Sequence, residues 1–199
     1  MLTPVVLETS QYIRNTHPRL GDVVTWELGW GPSNPRRWSE LEPGWSMAAQ
    51  VRAADKPTRT RLGASGAHNT VEQPCIGSRG GVQFHFSSPL PVPETVTVTG
   101  ALSVTVGTPL PGRPMRGGWH EVDPGTLTTG TVRRLRVVSM AHARRPSRHP
   151  GWFGEWPVPG TEWVYDLAEP PAELHWYELA KNDFGMTRRS EVLLVDLET

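Results

Sequence analysis

Apolar residues at every second position dominate this chain. Between residues 21 and 30, Val24, Trp26, Leu28 and Trp30 fall on one face at period two, the pattern of a half-buried strand. Residues 3–13 are β-branched and are expected to pair with it. Trp45, Met47, Ala49 and Val51 alternate over 45–54 as in a further strand, although the alanine content also suits a short helix. Residues 55–81, rich in Thr, Ser, Gly and Arg, show no sustained period and read as a mobile loop. Val82, Phe84 and Phe86 alternate again, and a proline-rich connector follows at 89–93.

The cleanest strand spans 94–106. Val96, Val98, Leu102 and Val104 share its core face, threonines and Ser103 share the other, and Gly100 marks a bulge or bend. After a second long excursion over 107–130, residues 131–140 form another strand. Here Val132, Val138 and Met140 lie on one parity and Leu135 and Val137 on the other, so a bulge near Arg133 and Arg134 is expected to switch the register. Strands at 161–168, 173–180 and 191–197 complete the chain, and their short connections favour sequential antiparallel pairing. The expected fold is all-β and mostly antiparallel, a barrel or sandwich of about eight strands joined by long Pro/Gly-rich loops. Its expected core holds Trp26, Leu28, Val96, Val98, Leu102, Val104, Val137 and Trp176.

Composition sharpens this picture. Twenty glycines and twenty prolines in 199 residues suit many turns and disfavour helix, and a chain of this length fits one domain over 1–199. The formal net charge is zero, so the molecule as a whole is no polyanion binder. The lone Cys75 forms no internal disulfide or CxxC site, which points to the cytoplasm, and no long apolar run marks a membrane segment or export signal.

Candidate chemistry is sparse. There is no phosphate-binding loop, and Gly63-Ala64-Ser65-Gly66-Ala67 lacks the spacing of a nucleophile elbow. None of the seven histidines pairs at helical zinc spacing; His120-Glu121-Val122-Asp123 comes nearest to a metal cluster, but strand alternation would send its ligands to opposite sides. Cys75 could act only with a histidine brought to it by the fold. No catalytic residue, metal or cofactor is assigned.

Two features stand above this background. From 124 to 154 no acidic residue follows Asp123, while Arg133, Arg134, Arg136, Arg144, Arg145 and Arg148 occur with Trp152 and Phe153. Guanidinium groups for phosphates and rings for bases are what single-stranded nucleic-acid binding requires. The strongly acidic stretch from 155 to 199 offers those arginines internal partners instead. The second feature is the nine tryptophans, of which Trp119, Trp152 and Trp156 are placed in loops, where exposed indoles can anchor a protein partner.

Gly21-Asp22-Val23-Val24-Thr25-Trp26 and Thr129-Gly130-Thr131-Val132-Arg133-Arg134-Leu135-Arg136-Val137-Val138 resemble segments of an uncharacterised family of small actinobacterial proteins. The resemblance implies an actinobacterial or phage source and a related fold, and it brings no site residues. The reading that results is a non-catalytic binding or structural module acting through protein contacts. A single-stranded nucleic-acid-binding barrel is the alternative, and an enzyme with a non-local active site is the second alternative.

Overall fold

The structure is a computed structural model that describes residues 1–14, 17–31, 41–56, 58–61, 70–106, 124–146, 153–180 and 185–199. Its strands are β1 (Leu2–Leu7), β2 (Val23–Gly29), β3 (Ser46–Ala53), β4 (Arg59–Arg61), β5 (Thr70–Arg79), β6 (Val82–Pro89), β7 (Thr95–Thr99) and β8 (Leu102–Val106), then β9 (Leu127–Pro146), β10 (Phe153–Pro157), β11 (Trp163–Leu167), β12 (Trp176–Glu178) and β13 (Met186–Glu198). A six-residue helix, α1 (Thr9–Arg14), follows β1.

All thirteen strands belong to one sheet, and every pairing is antiparallel except β1–β8 and β2–β6. The all-β, mostly antiparallel class holds, in one large mixed sheet that is not a clear barrel. Within it, β9–β13–β1–β8–β2 pair in succession and β2 returns to β9, which closes a ring of strands. From β2 the sheet continues outwards through β6, β5, β3 and β7 as a fan. The twenty residues of β9 make this possible, because successive stretches of one of its edges pair with β2, β11 and β10 while the other edge carries β13.

Continuous apolar runs become strands that are covered on both faces. In β13, Leu193 and Val195 enter the main core while Val192 and Leu194 enter a second, smaller cluster on the opposite face. Val5 and Leu7 against Val6 divide in the same way in β1. The main core runs without a break from the ring (Trp26, Leu28, Leu102, Leu135) into the fan (Met47, Phe84, Val98). Leu41 packs against the smaller cluster, while Trp45 packs against the main core and its indole donates to the Leu2 carbonyl at 3.0 Å.

Several sequence expectations change. Residues 3–13 divide into β1 and α1, and β1 pairs with β13 and β8, not with β2. The loop expected over 55–81 contains β4 and the ten-residue β5; Gly77 of β5 packs beneath the ring of its cross-strand neighbour Phe84, a pairing that apolar periodicity does not reveal. The long strand over 94–106 breaks at Gly100, whose φ of +77° turns β7, paired with β3, into β8, paired with β1 and β2. The bulge expected near Arg133 is present as a register shift: Asp196 faces Arg134 but Leu197 faces Val132, so Val132 and Leu135 both reach the main core despite opposite parity. Of the expected core, Val96 is half-buried and Trp176 is 59 % exposed; the others are buried. Among the described residues no helix is long and apolar enough to cross a membrane.

Candidate functional site

Of the arginines singled out in the sequence, Arg133, Arg134 and Arg136 meet carboxylates. Arg133 lies 2.5 Å from Glu198, and Arg134 makes a two-pronged contact with Asp166 at 2.6 and 3.0 Å. Arg136, buried on the face of the smaller cluster, bridges Asp196 at 2.5 Å and Glu42. β13 and β11 flank β9 on its two edges and carry these acids, and the pairs run diagonally across the strands, since Asp166 lies directly across from Arg136 and Asp196 from Arg134. Asp166 is held below the usual carboxylate range by the Arg134 guanidinium. Arg144 is exposed and engaged. The Arg145 side chain and Arg148 lie outside the described residues, as do Trp119, Trp152, residues 63–67 and the 120–123 cluster. Trp156 sits in β10 rather than in a loop and is half-buried, its indole nitrogen covered beside Gly154.

Exposed aromatic surface lies elsewhere. On β11, Trp163, Val164 and Tyr165 are each more than half exposed, and on β12 so is Trp176, with Tyr177 at 44 %. β11 pairs with β9 and β12 with β13, so the sequential pairing expected between the two is replaced by a β11–β9–β13–β12 arrangement with the rings on its outer strands. Direct partners share a face, which places Trp163 and Tyr165 on the side of Ser139 and Val137, and Tyr177 on the same side through Arg189. Val164, Trp176 and Glu178 occupy the other side.

Arg189 fastens this surface from beneath. It is buried, donates to the Ser139 carbonyl at 2.9 Å and the Thr161 carbonyl at 2.8 Å, and lies 3.8 Å from the centre of the Trp163 ring. The inner face of the indole is thus taken by a fixed cation and the outer face left open. Between β11 and β12 the chain crosses the core opening: Leu174 is buried in the main core, and the Tyr12 hydroxyl donates to the Pro171 carbonyl.

These aromatics escaped the sequence reading because WVYDL and WYE put large apolar groups on both parities, a pattern that equally suits a short strand covered on both faces.

A second polar centre lies where ring and fan meet. Glu27 of β2 is buried, with its Oε1 3.1 Å from His85 Nε2 of β6 and its Oε2 accepting from the Thr105 hydroxyl of β8 at 3.1 Å. The His85 contact is close in distance without being an aligned hydrogen bond, and among the described residues Nε2 has no other partner. The imidazole nevertheless holds the carboxyl below its usual range, against the opposing effect of burial and with help from Thr105. Because the Thr105 proton goes to Glu27 and not to His85, the three form a clasp and not a nucleophile relay. Cys75 is buried in β5, donates to the Gln73 carbonyl at 3.3 Å, and its thiol is pushed up by burial, which disfavours the thiolate. Among the described residues no group of three His, Cys, Asp or Glu could hold a metal ion.

No protein-family model, curated protein or solved structure matches this chain.

Proposed function

We propose that the chain is a non-catalytic binding module that docks a protein partner through the aromatic surface of β11 and β12. The carrying observation is the exposure of large apolar groups on both sides of these two short outer strands, Trp163, Tyr165 and Tyr177 on one side and Val164 and Trp176 on the other. Large rings offer much contact area for few rotatable bonds, and several of them exposed on outer strands mark an interaction site. The stack of Trp163 on Arg189 supports the same reading, since a ring already fixed loses less freedom on binding. The cytoplasmic location expected from the single cysteine forms part of this proposal.

The nucleic-acid alternative through the segment from Arg133 to Arg148 is the weaker reading, because Arg133, Arg134 and Arg136 already spend their charge on carboxylates. Anisotropy with labelled single-stranded DNA and RNA at low salt measures that alternative directly.

The docking reading is tested by placing a photo-crosslinking residue at Tyr165 and, as control, at exposed Thr97 on β7. Captured proteins are expected at the first position alone and are expected to vanish when Trp176 and Tyr177 are both replaced by Ala. Identical captured sets at the two positions would overturn it.

A further inference from the structure

We infer that the partner segment taken by the β11–β12 surface is cationic, its Lys or Arg side chains lying on exposed rings with their charged ends held by carboxylates. This deepens the docking reading above and rests on it. The charge of the surface is the starting point. From residue 153 to residue 180 the chain contains no Lys or Arg, while Glu162, Asp166, Glu169, Glu173 and Glu178 lie among or beside the exposed aromatics. Asp166 answers Arg134, and Glu173 has only His175, at 3.7 Å, with both side chains well exposed. Among the described residues Glu162, Glu169 and Glu178 take part in no ion pair.

The best-formed position is on β12. Trp176 and Glu178 are two residues apart on one face, about 7 Å along the strand, with the indole 59 % exposed and Glu178 exposed. An extended Lys or Arg stem covers that distance, so its methylenes and charge can lie on the ring while its end reaches the carboxylate. Among the described residues, the cations nearby do not fill this role. Arg189 is buried under Trp163, Arg134 is matched by Asp166, and Arg188, directly across from Glu178, is half-buried and engaged.

The fold also ranks the rings. Trp163 already carries a guanidinium on its inner face, so a second cation on the outer face meets repulsion, whereas Trp176 has no cation stacked on it among the described residues. Trp176 is therefore the cation-binding ring, on the side of the sheet that also carries Val164 and Glu178, and Trp163 and Tyr165 on the other side take no part in holding the cation. Among the described residues of this surface, an acidic peptide or a nucleic acid would meet carboxylates without an ion pair and no unmatched cation.

The test uses the full chain and three N-acetylated, C-amidated peptides of equal length, in which Gly alternates with Arg, Lys or Glu, followed by tryptophan fluorescence and NMR shifts. The Arg and Lys peptides are expected to bind and the Glu peptide not to. Trp176→Ala is expected to weaken binding about fivefold, Glu178→Gln about threefold, and Trp163→Ala less than either. Raising salt from about 0.01 M to about 1 M, which cuts the screening length from ~30 to ~3 Å, is expected to abolish most of the affinity. Both substituted β12 positions are exposed, and unchanged circular dichroism shows that the variants fold. Equal or tighter binding of the Glu peptide, or basic-peptide affinity untouched by Trp176→Ala and Glu178→Gln, overturns the inference. If the Glu peptide binds and loses affinity in Trp176→Ala, the surface remains a docking site and only its cation preference falls. If crosslinking at Tyr165 also proves indifferent to the aromatics, the docking reading falls with it.

Discussion

Gly77 and Glu27 show how tightly space and charge are matched in the interior of this fold. A Cβ added to Gly77 would stand 2.1 Å from Cζ of Phe84, so the glycine exists to let a core ring lie flat on the neighbouring strand. Gly77→Ala is expected to cost about 1–3 kcal/mol in urea unfolding. Its effect should be non-additive with Phe84→Leu, which removes the obstructing atoms. Glu27 is the charge counterpart. Its carboxyl is stabilised in the ionised form by His85 and Thr105, so its folded-state pKa is lower than the unfolded value near 4.5. The stability it adds is complete well above pH 4.5, declines as pH falls below that value, and is gone beneath the folded-state pKa. Melting curves across that interval should fall less steeply for Glu27→Gln than for the native chain. Equal acid sensitivity of the two would show that Glu27 contributes nothing there.

At the scale of elements, β9 and β13 carry the arginine segment, and burial separates its members. Arg133 with Glu198 and Arg134 with Asp166 are about half exposed, so water and salt screen them and either arginine should change stability by less than ~1 kcal/mol when replaced by Ala. Arg136 has a side chain only 9 % exposed and serves two carboxylates. Removing it leaves Glu42 and Asp196 facing each other with no cation between them, and Arg136→Ala is expected to cost about 2–4 kcal/mol by chemical denaturation. A triple replacement should therefore act almost wholly through Arg136. Comparable losses from all three single variants would contradict the pairing. The period-two strands and the register shift at Arg133 were legible because parity is a local property of the chain. The partner strands were not. Whether β11 lies on β9 or on β12, and hence whether Trp176 faces core or solvent, depends on pairings between residues far apart in sequence, and a short strand with aromatics on both parities looks the same in either place.

For the whole molecule the same distinction decides the architecture. The all-β class follows from alternation and from the abundance of turn-forming residues, but closure of the ring depends on β9 being long enough to pair with both β2 and β13, and nothing in its sequence states where each pairing ends. The candidate surface was obscured for the same reason, since exposure is settled only once every other strand has a place. The joint between ring and fan is the narrowest point of this arrangement. β2 and β6 share a single bridge at Gly29 and His85, supported by the bond from Trp30 N to the His85 carbonyl. Beside it, the fully buried Thr128 of β9 imitates a strand: its hydroxyl accepts from Gln83 N and donates to the Gln83 carbonyl, both at 2.8 Å. Thr128→Val keeps the shape and removes both bonds, leaving the Gln83 backbone without them in a covered site. The expected cost is about 1–3 kcal/mol, with amide exchange at Gln83 and the adjoining residues of β6 accelerated more than in β1 or β13. Serine at the same position restores the hydroxyl and should recover most of the protection at Gln83, although it leaves a methyl-sized gap. Uniform acceleration across ring and fan in Thr128→Val would mean that the two unfold as one unit and that this hydroxyl is not what couples them.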